Sequence, residues 1–278
     1  MSITAKTLAS GPGWHVADIV CTAGAGDRAF EEQHGDVCIA AVTGGTFRYR
    51  ANQGTAMLAP GGLVLGNAGT CFECGHEHGR GDRCLSFHFS PARFEAVLAD
   101  TPGSKRLDFD RPRLPPLEAL APLLADAEAA RDEGDEDALE EAGLRLAGAT
   151  ITLLADAPAM RKRPSARDEK RVAEAISLIE TEAERPISLD ELASTTATSP
   201  YHFLRVFRDV AGMTPHQFVL KTRLHRAAIR LQRSDAPVST IAFDAGFNDL
   251  STFNRRFRKV MGDAPTAWRA KRQPRSSD

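Results

Sequence analysis

One segment of this sequence occurs twice, at an offset of fifty residues. FLRVFRDVAGMTPHQF (residues 203–218) aligns with FNRRFRKVMGDAPTAW (residues 253–268), and seven positions are identical. With one residue of slippage the match extends upstream, from Leu192-Ala193 to Ile241-Ala242. A repeat at a fixed period indicates that one supersecondary unit is present twice.

Each copy is predicted to be a helix, a tight turn and a second helix. In the second copy, Gly246 ends the first helix, and Asn248 or Asp249 is a candidate N-cap for the next. Phe253 and Phe257 lie four residues apart and therefore share the buried face of that helix. A short helix with an aromatic core face and a polar face that contains arginine fits the major groove of DNA.

The polar faces of the two second helices are predicted from the same geometry. The outward residues are Ser251, Arg255, Arg258 and Lys259 with Thr252 beside them in the second copy, and Tyr201, Arg205 and Arg208 in the first. For one copy alone, a solvated surface helix is the simpler interpretation. Because solvent does not require the same exposed residue twice, an arginine at both equivalent outward positions favours a shared partner.

Charge separates the two halves of the chain. The whole protein has a formal net charge of -2, but from residue 161 onward there are 22 lysines and arginines against 14 acidic residues. The C-terminal part therefore carries +8 and the remainder -10. A basic C-terminal part suits a polyanion such as DNA, and the acidic part does not.

The N-terminus shows no apolar signal segment, and no run of about eighteen apolar residues spans a membrane. The sequence therefore predicts a cytoplasmic protein with no membrane partner. Five cysteines, an odd number without a secretion signal, argue against a disulfide framework.

Residues 14–89 consist of short apolar runs separated by glycines. This pattern predicts antiparallel strands in a small barrel or a double-sheet jelly roll that encloses a small ligand. Alternation places Leu85, Phe87 and Phe89 on one face of a strand, and Ser86 and His88 on the other.

After Pro91, leucines and alanines recur at the three- and four-residue spacing of a helix. These helices either complete the core of the N-terminal domain or form a homodimer interface. Residues 1–158 are predicted to be a sensor and dimerisation domain, 159–167 a linker and 168–278 a DNA-binding domain. Within the last, Thr214 and Gln217 form a candidate capping box at the start of a connecting helix.

A second informative stretch concentrates thiols and imidazoles. The candidate ligands for zinc or another thiophilic metal are Cys71, Cys74, His76, His78 and Cys84. Three interpretations remain open: scattered structural residues, a metal site, and a reactive thiol sensor. Cys21 and Cys38, inside apolar runs, are predicted to be core residues, and His34 has no assigned role.

Residues 168–272 resemble the DNA-binding domain of the AraC/XylS family of transcription regulators. The resemblance rests on ISLDELASTTATSPYHFLRVFRDVAGMTPHQF, on RLHRAAIRL, and above all on IAFDAGFNDLSTFNRRFRKVMGDAP. The N-terminal half is more weakly similar to the cupin-like sensor domain often joined to it. The implied fold is a two-domain α+β protein, with an N-terminal antiparallel β-barrel or jelly roll with helices and a C-terminal all-α double helix-turn-helix.

The resemblance also implies roles for individual side chains. Tyr201, Leu204 and Arg205 of the first unit, and Ser251, Thr252 and Arg255 of the second, approach base edges. Leu204 departs from the polar residue frequent at its position and can contact only a thymine methyl. Arg208, Arg258 and Lys259 are expected to meet phosphates, which position a protein without reading sequence.

These observations predict a non-enzymatic transcription regulator that binds promoter DNA, and the family resemblance implies an activator. Its expected partners are a second copy of the chain, RNA polymerase, and an unknown small ligand or metal sensed by the N-terminal domain. The alternatives are a cupin-type metal enzyme or a cysteine alkyl acceptor fused to a DNA-binding domain, and a DNA-binding protein without a sensing role.

Overall fold

The computed structural model describes residues 3–24, 26–76, 80–101, 106–156 and 164–271. Strands occupy most of the N-terminal half. They are β1 (Ile3–Gly11), β2 (Trp14–Gly24), β3 (Phe30–Gln33), β4 (Val37–Gly45), β5 (Phe47–Ala51), β6 (Gly54–Leu58), β7 (Leu63–Gly66), β8 (Cys71–Gly75), β9 (Arg80–Phe89) and β10 (Arg113–Leu114).

The strands form two antiparallel sheets. The larger sheet has the order β1-β2-β9-β4-β7-β10, and the smaller one has the order β3-β8-β5-β6. Within the described ranges no strand of one sheet pairs with a strand of the other. The predicted antiparallel class is confirmed, and the arrangement is a double sheet.

Strand β9 lies between two cores, as its alternating sequence predicts. Leu85, Phe87 and Phe89 pack in a core that includes helices on the outside of the larger sheet. Cys84 faces the opposite way, into the core between the two sheets. Ser86 lies on that second face too, where its hydroxyl is 3.4 Å from the sulfur of Cys38.

Three helices cover the outer face of the larger sheet: α1 (Pro91–Asp100), α2 (Ala121–Glu133) and α3 (Glu136–Asp156). Their apolar faces, including Leu124, Leu139 and Leu146, are buried in the same core as the outward side of β9. Of the two alternatives for these helices, completion of the domain core is therefore the observed one.

Within residues 164–271, all the regular elements are helices. They are α4 (Ala166–Glu182), α5 (Leu189–Thr195), α6 (Pro200–Ala211), α7 (Pro215–Arg233), α8 (Val238–Asp244), α9 (Leu250–Met261) and α10 (Pro265–Ala270). The sequence repeat corresponds to α5-α6 and α8-α9, and α7 connects them. The predicted capping box is present, since the Thr214 hydroxyl accepts from the Gln217 amide and the Gln217 side chain accepts from Thr214 N–H.

Each helix-turn-helix unit has its own aromatic core. Phe203 and Phe207 are buried with the inner face of α4 in the first unit. Phe253, Phe257 and Trp268 are buried with the inner face of α7 in the second. None of the helices within the described ranges is both long enough and apolar enough to cross a bilayer.

The N-terminal domain packs directly against both units. Met57 and Ala59 of the smaller sheet region lie in the core of the first unit. Ala121 and Ala125 of α2 lie in the core of the second unit and are fully buried. Each unit is therefore completed by side chains from outside the repeat.

Polar contacts accompany this packing. Arg48 on β5 and Glu169 on α4 form an ion pair of 2.8 Å in which both side chains are largely buried. The His225 ring on α7 is 2.7 Å from the Glu128 carboxylate on α2. The backbone N–H of Gly45, at the end of β4, donates to Glu180 on α4 over 3.3 Å.

Candidate nucleic-acid interface

Helix α9 is the candidate recognition helix of the second unit. Asp249 is its N-cap, and the Asp249 carboxylate accepts from the backbone N–H of Thr252 at 2.7 Å. Hydrogen bonds from the backbone N–H and the side chain of Thr252 lower the pKa of Asp249 below its usual value, because they stabilise the ionised carboxylate. Phe253 and Phe257 then fix which face of the helix is buried. The cap and the aromatic pair together orient the opposite face.

That opposite face is polar and basic. Ser251, Arg255, Arg258 and Lys259 are exposed, and Thr252 is half-buried. Asn254 is also exposed on α9, although the sequence reasoning did not select it. It lies three residues after Ser251 and four before Arg258, so helical spacing alone could have found it. An exposed amide on this face is able to pair with adenine in a major groove.

Helix α6 presents a weaker version of the same surface. Arg205 and Arg208 are exposed, whereas Leu204 is half-buried. The helix includes Tyr201, but the position of the Tyr201 side chain lies outside the described part of the structure. A guanidinium nitrogen of Arg205 is 3.4 Å from the ring of His202, a residue that the sequence reasoning also passed over.

Within the described part of the structure, the N-terminal domain does not cover the arginines of the two candidate recognition faces. The arginines at the repeated position, Arg205 and Arg255, are both exposed while the two halves of the chain are packed together. The contacts between the halves instead involve α4, α7 and the inner side of the repeats. The packed arrangement thus leaves both polar faces accessible.

The predicted metal ligands are distributed unevenly. Cys71 is exposed at the start of β8, whereas Cys74, His76 and Cys84 are buried. His78 lies outside the described residues. Among the described residues, the ligand atoms of Cys21, His76 and Asp82 lie within 4.8 Å of one another.

Two of these three residues were not among the predicted ligands. Cys21 was expected to be a core residue, and Asp82 was not considered. The pairing of β2 with β9 sets Cys21 opposite Asp82, a contact that sequence spacing does not reveal. Alternation along β9 could have placed Asp82 on the same face as Cys84.

Burial determines the protonation of the interior thiols. It raises the pKa of the Cys38 thiol to about 11, and raises the pKa values of Cys74 and Cys84 well above the usual range. Because the thiolate is the nucleophile, these protonated and enclosed thiols do not favour the reactive-thiol interpretation.

Two histidines lie in the same interior. The His34 ring is 2.8 Å from the Tyr49 hydroxyl, and the His88 ring is 2.8 Å from the Ser86 hydroxyl. Burial lowers the pKa of each histidine to about 4. His34, which had no assigned role, is therefore a neutral hydrogen-bonded core residue at physiological pH.

Two sequence families match this chain. The family described as an AraC-like ligand binding domain matches residues 19–147, and the one described as a Helix-turn-helix domain matches residues 192–271. Together these matches cover parts of both halves of the chain.

Similar proteins include transcription factors. The probable transcription factor PqrA of Proteus vulgaris is 34% identical over 103 residues, which are 36% of this chain and 84% of PqrA. The probable transcriptional regulator LumQ of Photobacterium leiognathi is 34% identical over 90 residues, which are 32% of this chain but only 36% of LumQ. A solved AraC-type transcriptional regulator from Chromobacterium violaceum is 28% identical, with a TM-score of 0.37, over 40% of this chain and 100% of that one.

Proposed function

Because this chain belongs to the AraC family of DNA-binding transcription regulators, we propose that α6 and α9 enter major grooves of promoter DNA. The outward side chains of the two helices are the proposed contacts. They are Tyr201, Leu204, Arg205, Arg208, Ser251, Thr252, Arg255, Arg258 and Lys259. The similar proteins are transcription regulators, which favours this role over the enzymatic alternatives.

The observation that carries the proposal is the repeated exposed arginine. Arg205 and Arg255 occupy equivalent positions of the repeat, and each is exposed on the face opposite a buried phenylalanine pair. An arginine at the centre of a groove-facing surface is the commonest specific partner of guanine, through the O6 and N7 atoms.

The two helices are proposed to contribute unequally. Around Arg255, Ser251 and Thr252 supply hydroxyls, and α9 is fixed by its aspartate cap. Around Arg205, Leu204 supplies only apolar contact. We therefore assign most of the base discrimination to α9, with Arg258 and Lys259 in its last turn binding phosphate.

Activation, a homodimer and contact with RNA polymerase are proposed by analogy with the family. The helices α2 and α3 bury their apolar faces inside the chain, so a homodimer would use another surface. We also propose a cytoplasmic location, because a protein that binds promoters must reach the chromosome.

Arg255→Ala tests the proposed interface. The full-length protein first selects its preferred sites from a random DNA library, and binding to those sites is then measured by titration. Loss of one bidentate contact is expected to weaken binding by about 1 to 3 kcal/mol and to relax the preference at one base position. Arg258→Ala is expected to weaken binding to all sequences alike and to reduce the slope of log K against log salt by about 1.

The matched control is Arg106→Ala, since the Arg106 side chain is 77% exposed and lies in the N-terminal domain. This variant is expected to bind like the unsubstituted protein. Unchanged affinity and unchanged base preference in Arg255→Ala would remove α9 from the interface.

A further inference from the structure

Three buried polar side chains meet at one end of the space between the two sheets. Cys21 comes from β2, His76 directly follows β8, and Asp82 comes from β9. Their ligand atoms lie within 4.8 Å of one another. The His76 ring nitrogen is hydrogen-bonded to the Asp82 carboxylate, and both side chains are almost completely shielded from solvent. The group therefore joins the larger sheet to the smaller one.

A second thiol lies beside these three but outside the group of mutually close ligand atoms. The sulfur of Cys84, two residues along the same face of β9, is 3.6 Å from the second oxygen of Asp82. In a tetrahedral zinc site, ligand distances of about 2.0 to 2.3 Å place neighbouring donor atoms roughly 3.5 Å apart. Thiolate, imidazole and carboxylate are the donors that zinc takes in proteins. The donor types of the three clustered residues match that ion, and the Cys84 thiol is placed to hydrogen-bond Asp82.

The backbone around the cluster is specialised. The pairing of β2 with β9 is irregular between Cys21 and Gly24, and the pairing of β4 with β9 is irregular between Val42 and Gly44. Gly81 has a φ of +77°, and a side-chain carbon there would lie 2.3 Å from the carbonyl oxygen of Cys21. Bulges of this kind are frequent next to functional sites, where they re-aim side chains.

We propose that Cys21, His76 and Asp82 bind one zinc ion, that the Cys84 thiol supports the site by donating to Asp82, and that the ion ties the two sheets together at this end of the sensor domain. The set differs from the one that sequence spacing predicts: it keeps only His76 as a direct ligand and adds Cys21 and Asp82. The other predicted ligands, which are Cys71, Cys74, His78 and Cys84, are not direct ligands in this proposal. Cys74 is buried in the same inter-sheet core as Cys84 and lies outside the proposed coordination.

The position of the site gives it a regulatory consequence, which rests on the proposed function. Asp82 pairs with Gly45 on β4, and the Gly45 N–H donates to Glu180 on α4 of the DNA-binding part. A zinc ligand, Asp82, would therefore be paired directly with the strand residue that contacts the DNA-binding part. An ion can shift that contact only by binding one arrangement more tightly than the other.

The first test is metal binding by the full-length protein, independent of any DNA. The purified chain is stripped with a chelator and titrated with zinc, and metal content is measured by mass spectrometry. Cobalt is used as a spectroscopic substitute that reports thiolate coordination. We expect one zinc per chain, a thiolate-to-cobalt absorption band, and a higher melting temperature when zinc is added.

Matched cysteine substitutions make the test specific. Cys21→Ser and Cys84→Ser are each expected to weaken zinc binding at least about tenfold, the range seen even when a supporting group of a metal site is lost. Cys71→Ser, at an exposed position of β8, is expected to bind zinc normally. Circular dichroism of each metal-free variant establishes that it is folded.

Two outcomes would overturn the proposal. One is the absence of tight zinc binding by the folded protein, and the other is zinc binding that persists in Cys21→Ser but is lost in Cys71→Ser. The DNA titration with and without zinc is a separate measurement. Zinc binding without any DNA binding would contradict the proposed function alone, whereas DNA binding without zinc binding would contradict the metal site alone.

Discussion

Phe257 shows how a single residue fixes the orientation of the proposed recognition helix α9. Its ring is fully buried and lies 5.3 Å from that of Phe253 and 6.0 Å from that of Trp268, measured between ring centroids. The indole N–H of Trp268 in turn donates to the carbonyl of Ala228 on α7 at 3.2 Å. The outward direction of Arg255 is therefore set by an aromatic cluster on the other side of α9.

Phe257→Ala is expected to destabilise the protein by about 3 to 5 kcal/mol, because it leaves a cavity in this cluster. Urea denaturation measures the change in the free energy of unfolding. The control is Phe243→Ala, since Phe243 on α8 is 53% exposed and its removal is expected to change stability by no more than about 0.5 kcal/mol. Equal losses in the two variants would contradict the assigned core.

The second helices of the two repeats, α6 and α9, end in the same way but in different surroundings. Gly212 terminates α6 and Gly262 terminates α9, with φ angles of +79° and +87°. A side-chain carbon added at Gly212 would lie 2.6 Å from Cβ of Pro115, in the N-terminal domain, whereas at Gly262 it would meet nothing within 4 Å. The two equivalent glycines therefore differ in the space available for a side chain.

Gly262→Ala is expected to lower stability by about 1 to 2 kcal/mol, the cost of a left-handed conformation for a residue with a side chain. Gly212→Ala carries the same conformational cost and must also displace Pro115, so we expect it to lower stability more than Gly262→Ala does. Thermal unfolding of both variants, each compared with the unsubstituted protein, gives the difference. A loss in Gly262→Ala as large as that in Gly212→Ala would show that contact with Pro115 does not matter.

The sequence predicts the repeats well and the metal-ligand cluster poorly, for a physical reason. Helix faces, caps and strand alternation depend on residues within about four positions, so Phe253, Phe257 and the Thr214 cap follow from local patterns. The meeting of Cys21 with Asp82 depends on which strands pair. Register between distant strands is set by the whole sheet, and no local pattern contains it.

For the whole molecule, the contact between the two halves includes a titratable group. Glu180 on α4 accepts from Gly45 and lies under the influence of Arg226, whose guanidinium donates to the Glu180 carbonyl. Burial raises the pKa of Glu180 to about 7, despite the opposing charge of Arg226. When the halves are packed, Glu180 is therefore mainly neutral at pH values below about 7.

This raised pKa gives packing a defined dependence on pH. An unpacked, solvated glutamate ionises near pH 4.3. The contribution of Glu180 to the stability of the packed state is therefore fully present below that pH and is lost as the pH rises to about 7. We expect the thermal stability of the unsubstituted protein to fall between pH 5 and pH 8 relative to that of Glu180→Gln. A constant difference between the two proteins over this range would contradict the role of Glu180.

The burial of Ala121 and Ala125 has a consequence for the construction of hybrid regulators. Both residues precede the linker predicted at 159–167, yet they complete the core around Leu224 and Leu231 of α7. A hybrid joined at the linker would transfer the DNA-binding region without them and expose apolar surface on that helix. The portable segment of this protein therefore includes α2, and a new sensor must either bring an equivalent helix or have one grafted into it.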